Sequence, residues 1–420
     1  MSRTVPVFLA LVLTFSAYAA PKRRAVAVPP SFDTSTIPAW LAANAQPLAS
    51  TELQPYTYDL APLRALIGPA DVVALGEGTH GTHEFHTVKL RVADYLVREL
   101  GFDVIALEAP FPLMNKLNEY AQGNAGDPRP LLATLSSLGY FFWNDEEVLA
   151  LIEWLREWNA HRGTRPPVVI AGMDVLDEVS AADDVVAYLR AVDPPASVKA
   201  DEDYACIRMH QRTTGCFEAA ARVFDTLAAR ATELASPAYD EALHEARVVV
   251  QSQFQFGPHR DDALAENALW IRQHRGVTRR VIVWAHNEHV SKSESEWAGV
   301  QPMGRTLFDA LGSEYFAIAT LTGGGTFNQW AFQPATQTYA PVVTTFPALT
   351  AQSYESLLRQ SAFSAYFVSL RVPAPSWLAT PSRYNAGTTN AGPTSLTGSL
   401  PAKFDAAIYI DRTTPTRVLH

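Results

Sequence analysis

The sequence predicts an α/β protein with a mainly parallel central sheet flanked by helices and an inserted helical lobe over the cleft. Three observations predict it. Seven short β-rich apolar runs recur along the 420 residues. Amphipathic helical patterns lie between the early runs, and two long stretches show helical periodicity without a convincing strand. Continuous apolar runs suit strands buried on both faces, as in a parallel sheet covered by helices. The composition, 48% hydrophobic and 18% charged, is that of a globular chain with ample core.

Taken in order, residues 1–20 read as a signal peptide. Arg3 supplies a positive start, 5–15 is an apolar run, and Ala17-Tyr18-Ala19 is a small-x-small cleavage pattern. The run is shorter than the ~20 residues a bilayer span needs, and no later run is long enough either. The expectation is export to the periplasm or the medium, with no membrane span after signal removal. Residues 21–50, rich in Pro, Ala and Ser, read as a linker, and 51–420 as one domain. The strand candidates are 72–75, 104–107, 168–171, 281–284, 316–319, 366–370 and 406–410. Phe85, Val88, Val92, Tyr95 and Leu96 recur at helical spacing, with Gly101 as a stop. Asp145-Glu146-Glu147 opens a second helix, where acidic residues favour the N-terminal dipole. The helical additions fall near 110–165 and 180–275, and 374–403 looks like loop. Cys206 and Cys216, ten positions apart, can close a short loop in an oxidising compartment or stand as two free thiols. The net charge is −10 and the one basic knot is Lys22-Arg23-Arg24, so nucleic acid is not an expected partner.

The chemistry collects where strands end. Glu77, Glu108, Asp174 and His286 each follow an apolar run by one to three residues. In open α/β sheets that carboxyl edge is where ligands bind. The densest segment is GEGTHGTHEFH, residues 76–86, which passes from a strand through a glycine turn into a helix that Thr82 can cap. Glu77 and His80 there form a workable general-base pair. A carboxylate orients an imidazole and raises its basicity, and the imidazole takes a proton from water. His80, His83, His86, His286 and His289 also have residue types that suit a divalent metal, but no helix-borne H-E-x-x-H is present, and the favoured reading needs no metal and no other cofactor. No G-x-S-x-G elbow occurs, which argues against a serine nucleophile.

These residues carry a resemblance. GEGTHGTHEF, then Lys89-x-Arg91, then LVRELGFDVIALEA resembles the erythromycin esterase family. Leu117-Asn118-x-Tyr120-x-x-Gly123, Trp143-Asn144-Asp145-Glu146-Glu147, Trp154-Leu155-Arg156-x-x-Asn159 and Gly172-Met173-Asp174 continue it. So do Arg260-Asp261 with Ala265-x-Asn267, Trp284-Ala285-His286-Asn287 with His289, and Phe404-Asp405-Ala406. The match covers about residues 60–330. It departs at Leu264, where the family usually has Met; Lys89 follows many relatives, whereas macrolide esterases carry Arg there. The resemblance implies metal-independent hydrolysis of a small-molecule ester or lactone. The family's general base falls on His80, its acidic support on Glu77 and Glu108, and its second histidine region on His286 and His289. Lys89, Arg91 or His286 is expected to meet the developing oxyanion, although Lys89 and Arg91, two apart on one helix, do not share a face. Trp143 is the aromatic residue expected to pack on a ligand. Glu147, Asp174, Arg260, Asn287 and His289 complete the expected substrate-binding set. The alternative is an exported metal- or ligand-binding protein that uses the same pocket without hydrolysis.

Overall fold

The computed structural model describes residues 33–273, 279–293, 300–334, 338–371, 373–389 and 392–419. The signal-like segment 1–20 lies outside them. Among the described residues twelve strands follow in chain order: β1 (Gln46–Pro47), β2 (Val72–Glu77), β3 (Val104–Pro110), β4 (Val169–Asp174), β5 (Val281–His286) and β6 (Tyr315–Thr322). Then come β7 (Thr326–Gln333), β8 (Thr338–Thr345), β9 (Ala365–Ser369), β10 (Ser382–Thr389), β11 (Gly392–Gly398) and β12 (Ala406–Ile410). Eight of them form one sheet in the order β1-β9-β12-β6-β2-β5-β3-β4. The run from β12 to β4 is parallel throughout, and only β9 and β1 pair antiparallel at one edge.

Each of the seven apolar runs became a strand of this sheet, because both of its faces are buried. Alternation decides the faces. Val73, Leu75, Ile105, Leu107, Ile282 and Trp284 join one core, beneath the helices His83–Leu100, Phe111–Ala121 and Glu146–His161. Val72, Ala74, Val104, Ala106, Val281 and Val283 join the other, beneath Arg260–Gln273 and Met303–Leu311. The helices Glu178–Val192, Thr214–Ala228 and Pro237–Gln251 share a third apolar cluster of their own, which is the core of the helical lobe. Within that lobe Cys206 and Cys216 are joined as a disulfide.

Two expectations are corrected. The linker assigned to 21–50 is structured from residue 37. A helix Ile37–Asn44, with proline in its first turn, buries Ile37 and Leu41 completely, and Gln46–Pro47 adds to the sheet edge. Pro is tolerated in a first turn and at an edge, so its presence did not exclude structure. The loop-like 374–403 contains the hairpin β10–β11. Its strands lack an apolar run because they pair outside the main sheet.

Candidate active site

Register brings the strand ends together. In the β2–β5 pair Glu77 lies opposite His286, and in β3–β5 Leu107 lies opposite Trp284, so Glu108 follows one step further. A register irregularity between Leu107 and Pro110 then sets Pro110 opposite Asp174 on β4. The chain passes from β2 to β3 over the place later filled by β5, and from β5 to β6 over β2. The connections diverge here, which is where an open α/β sheet leaves its crevice.

Two glycines are demanded by close approach. A Cβ on Gly76 would lie 2.3 Å from Asn287 Oδ1, and one on Gly81 would lie 2.0 Å from the Asn328 carbonyl oxygen. Beside Gly76, Asn287 donates to the Thr320 carbonyl at 3.0 Å and accepts from its amide at 3.2 Å, tying β5 to β6. Thr82 sits at the N-cap of the helix His83–Leu100, but its hydroxyl hydrogen-bonds to that of Thr79 rather than capping the helix.

His80 is half-buried, and its Nδ1 is 2.6 Å from Glu77 Oε1. The other Glu77 oxygen takes Lys89 Nζ at 2.7 Å and has His86 Nε2 at 3.7 Å. Burial works against the Glu77 carboxylate, but Lys89, the His80 hydrogen bond and His86 outweigh it and hold its pKa down to about 2. Glu77 is therefore an anion, and an anion at Nδ1 selects, of the two neutral tautomers, the one with its proton there and its lone pair on Nε2. Phe142 stacks flat against the His80 ring, with centroids 4.2 Å apart and planes 14° apart; Trp143 meets it edge-on at 5.2 Å.

Beside this pair lies a second cluster built on Glu108. Its Oε1 receives Arg260 Nη2 at 3.1 Å and has His289 Nε2 at 3.2 Å, and its Oε2 accepts the His286 amide at 3.0 Å. His289 Nδ1 reaches Asp261 at 2.8 Å, and Arg260 also grips Asp174. Burial opposes the charge on His289, yet Asp261 and Glu108 raise its pKa well above the ordinary value. Burial likewise opposes ionised Glu108, but His289 above all, and Arg260, hold it well below the carboxylate range. His286 behaves differently. Its Nε2 lies 3.1 Å from the Gly78 carbonyl, and its Nδ1 accepts from the Glu288 amide at 3.2 Å. Burial, with His80 and His289 nearby, pushes its pKa down to about 3, so it is a neutral imidazole.

Several expected roles change. Glu108 does not hold His80; its oxygens are taken by Arg260, His289 and the His286 backbone, and Glu77 is the carboxylate on His80. His286 has both ring nitrogens committed to backbone groups, so it is not poised as an oxyanion donor. Lys89 is 1% exposed and spent on Glu77 and the face of Trp284. Arg91 turns to the opposite side of its helix and makes a fork with Asp59 at 2.6 and 2.8 Å, away from the cleft. Trp143 is fully buried and donates its Nε1 to the Glu108 carbonyl at 2.8 Å; it is wall, not ligand platform. Asn287 is a buried tie between strands. Glu147 holds His83 at 2.5 Å and the Arg417 amide at 3.1 Å. Asp174, Arg260 and His289 do join the cluster, and the side chains of Arg260 and His289 keep 20% and 14% exposure. Sequence reasoning missed Phe142, Asp261 and the His86–Asp145 pair, whose atoms lie 3.5 Å apart in the interior. Asp261, His86 and Asp145 each stood in a quoted motif without a role in the site being assigned to them, whereas Phe142 stood in none. Among the described residues no group of three His, Cys, Asp or Glu side chains is arranged to hold a metal. Cavities of about 270 and 330 Å³ open elsewhere, the second against the N-terminal ends of β3 and β4; neither includes a residue of these clusters. The converging ionisable groups, rather than cavity size, mark the site.

Fold and site together define an α/β protein with a histidine–carboxylate centre at the carboxyl edge of a parallel sheet. The chain belongs to the erythromycin esterase family, whose profile matches residues 97–413. It is 24% identical over 391 residues to YbfO of Bacillus subtilis, named as a hydrolase, covering 81% of this chain and 84% of that one. It is 24% identical over 313 residues to an Escherichia coli protein named erythromycin esterase type II, covering 64% and 72%. Among solved structures, a Bacillus cereus protein superposes with a TM-score of 0.80 at 24% identity, covering 93% of this chain and all of that one. An erythromycin esterase variant in an open conformation gives 0.71 at 19% identity, covering 87% and 96%.

Proposed function

We propose that this protein is an exported hydrolase that adds water to an ester or lactone carbonyl, with His80 as general base. The observation that carries the reading is the Glu77–His80 pair. A buried carboxylate takes one ring nitrogen at 2.6 Å and leaves the other free on a half-buried face. In the proposed step Nε2 removes a proton from water while the water oxygen bonds to the carbonyl carbon. The carbonyl π electrons move to oxygen, giving a tetrahedral oxyanion. His80 then returns the proton to the leaving alkoxide as the C–O bond breaks. Arg260 is the group we assign to the oxyanion: its guanidinium, though held by Asp174 and Glu108, keeps 20% exposure, whereas Lys89 is 1% exposed on Glu77 and both His286 nitrogens face backbone groups. The names of the relatives make macrolide lactones one arm of the substrate panel. Export is supported by the signal-like N-terminus and by the Cys206–Cys216 disulfide, since such bonds persist in oxidising compartments.

The test is a panel of activated esters and lactones assayed with the purified protein and its His80→Ala variant. Wild-type turnover, with a loss of about 10³-fold or more in a folded variant, is expected when a general base goes. Near-normal activity in folded His80→Ala rejects the assignment. A wild type that hydrolyses nothing but still binds panel members favours the ligand-binding alternative.

A further inference from the structure

Residues 413–419 run as a strap between two walls of the site that are distant in sequence. Toward the His80 turn, the His83 amide donates to the Thr414 carbonyl at 3.0 Å and the Thr416 amide to the Gly81 carbonyl at 3.1 Å. The Thr414 amide and hydroxyl both donate to Glu84, at 2.7 and 2.8 Å. Toward the aromatic wall, the Glu146 amide donates to the Arg417 carbonyl at 2.8 Å, and the Leu419 amide to the Asn144 carbonyl at 3.1 Å. The Glu147 carboxylate knots the three segments, taking the Arg417 amide and Nε from the strap and His83 Nδ1 from the helix beyond the turn.

The two joined segments carry His80 and the ring stacked on it. Glu77 holds His80 at one nitrogen only, and a single hydrogen bond leaves the ring free to rock about that contact; the terminal torsion of histidine is broad. The flat face of Phe142 covers one side of that ring, with centroids 4.2 Å apart. Trp143 has a polar anchor on the Glu108 carbonyl; Phe142 has no polar group, packs edge-on against Tyr140 and Trp143, and rides on backbone that the strap ties at Asn144 and Glu146.

We propose that Phe142 is a positioning residue for His80, and that the strap 413–419, through Glu147, holds it in place. The proposal rests on His80 being the base. It is tested with p-nitrophenyl acetate, an ester too small to need the wall for binding, and with diethylpyrocarbonate labelling of His80 read by mass spectrometry, which needs no activity. The variants are Phe142→Ala, Phe142→Tyr and Glu147→Ala, with His80→Ala as the floor. Phe142→Ala should lower kcat about 10- to 100-fold with KM within about threefold, the pattern of lost orientation rather than lost binding. Phe142→Tyr, which keeps the ring, should restore kcat to within about threefold of wild type. Labelling of His80 should rise about threefold or more in Phe142→Ala, and in the same direction in Glu147→Ala, as the stacked face is uncovered. A folded Phe142→Ala with kcat within about twofold of wild type, or with unchanged labelling, overturns the positioning role. Unchanged labelling in folded Glu147→Ala overturns the role of the strap. If wild type hydrolyses no ester, the hydrolase reading fails, and labelling alone decides between a held and an unheld ring.

Discussion

Glu77 and Lys89 form a fully buried ion pair at 2.7 Å, and the two partners contribute in opposite directions. The Glu77 carboxyl falls from its ordinary 4.5 to about 2, whereas burial drives the Lys89 ammonium down from 10.5 to about 8 although Glu77 pulls it back. The first difference favours the ionised carboxylate by roughly 3 kcal/mol, and the second penalises the ammonium by roughly as much. The intact pair is thus close to neutral for stability, but either charge left alone is costly. Glu77→Gln and Lys89→Met should each destabilise by about 3–5 kcal/mol, the range for breaking a buried pair. The double variant should cost no more than the worse single one, giving a coupling of at least about 3 kcal/mol. Urea unfolding at pH 7, followed by circular dichroism on all four proteins, measures this. Additivity within about 0.5 kcal/mol would refute the reasoning. The pH dependence is a second check. In wild type the Glu77 contribution is complete above pH 4.5 and is lost as pH falls toward 2, since the unfolded chain binds the proton first. In Lys89→Met the orphaned carboxylate can take a proton in the folded state, so the deficit should shrink as pH is lowered from 7 to 5.

Other expectations concern the frame of the site and the lobe. Gly81→Ala would place a Cβ 2.0 Å from the Asn328 carbonyl oxygen; a loss of about 1–3 kcal/mol in stability is expected, as for overpacking, with kcat falling because the His80 turn must shift. Unchanged thermal stability and kcat would contradict the close approach. Burial raises Asp177 to about 6, and its backbone is left-handed at φ 81°. Asn tolerates that conformation and keeps a cap oxygen, so Asp177→Asn should stabilise by about 1–2 kcal/mol at pH 7, with the gain vanishing below pH 4 where the folded and unfolded carboxyls are both protonated. A melting-temperature difference that does not shrink on acidification would exclude this. Replacing both Cys206 and Cys216 by Ser should cost about 3 kcal/mol by loop entropy, confined to the lobe, and be measurable as faster proteolysis near residues 206–216.

Much of the architecture was legible because burial writes itself into local pattern. A strand covered on both faces must be apolar along its length, so 72–75, 281–284 and the other runs could be read directly. The hairpin β10–β11 could not, since strands outside the main sheet need no such run. Helix periodicity, through the spacing of Lys89 and Arg91, also showed that only one of them faces the cleft side.

What the sequence alone determined is therefore the sheet, the helical additions, the four ionisable strand ends and the Glu77–His80 pair, whose members are only three residues apart. What the tertiary structure decided is which carboxylate serves which cation. Strand register and the irregularity between Leu107 and Pro110 deliver Glu108 to Arg260 and His289 rather than to His80. It also decided that Lys89 is consumed by Glu77, and that Phe142 is stacked on His80 beside a strap from residues more than 270 positions later in the chain. The physical reason is range. Burial and periodicity act between residues one to four apart, whereas pairing of buried charges and stacking of rings depend on distances in space that only the folded chain sets.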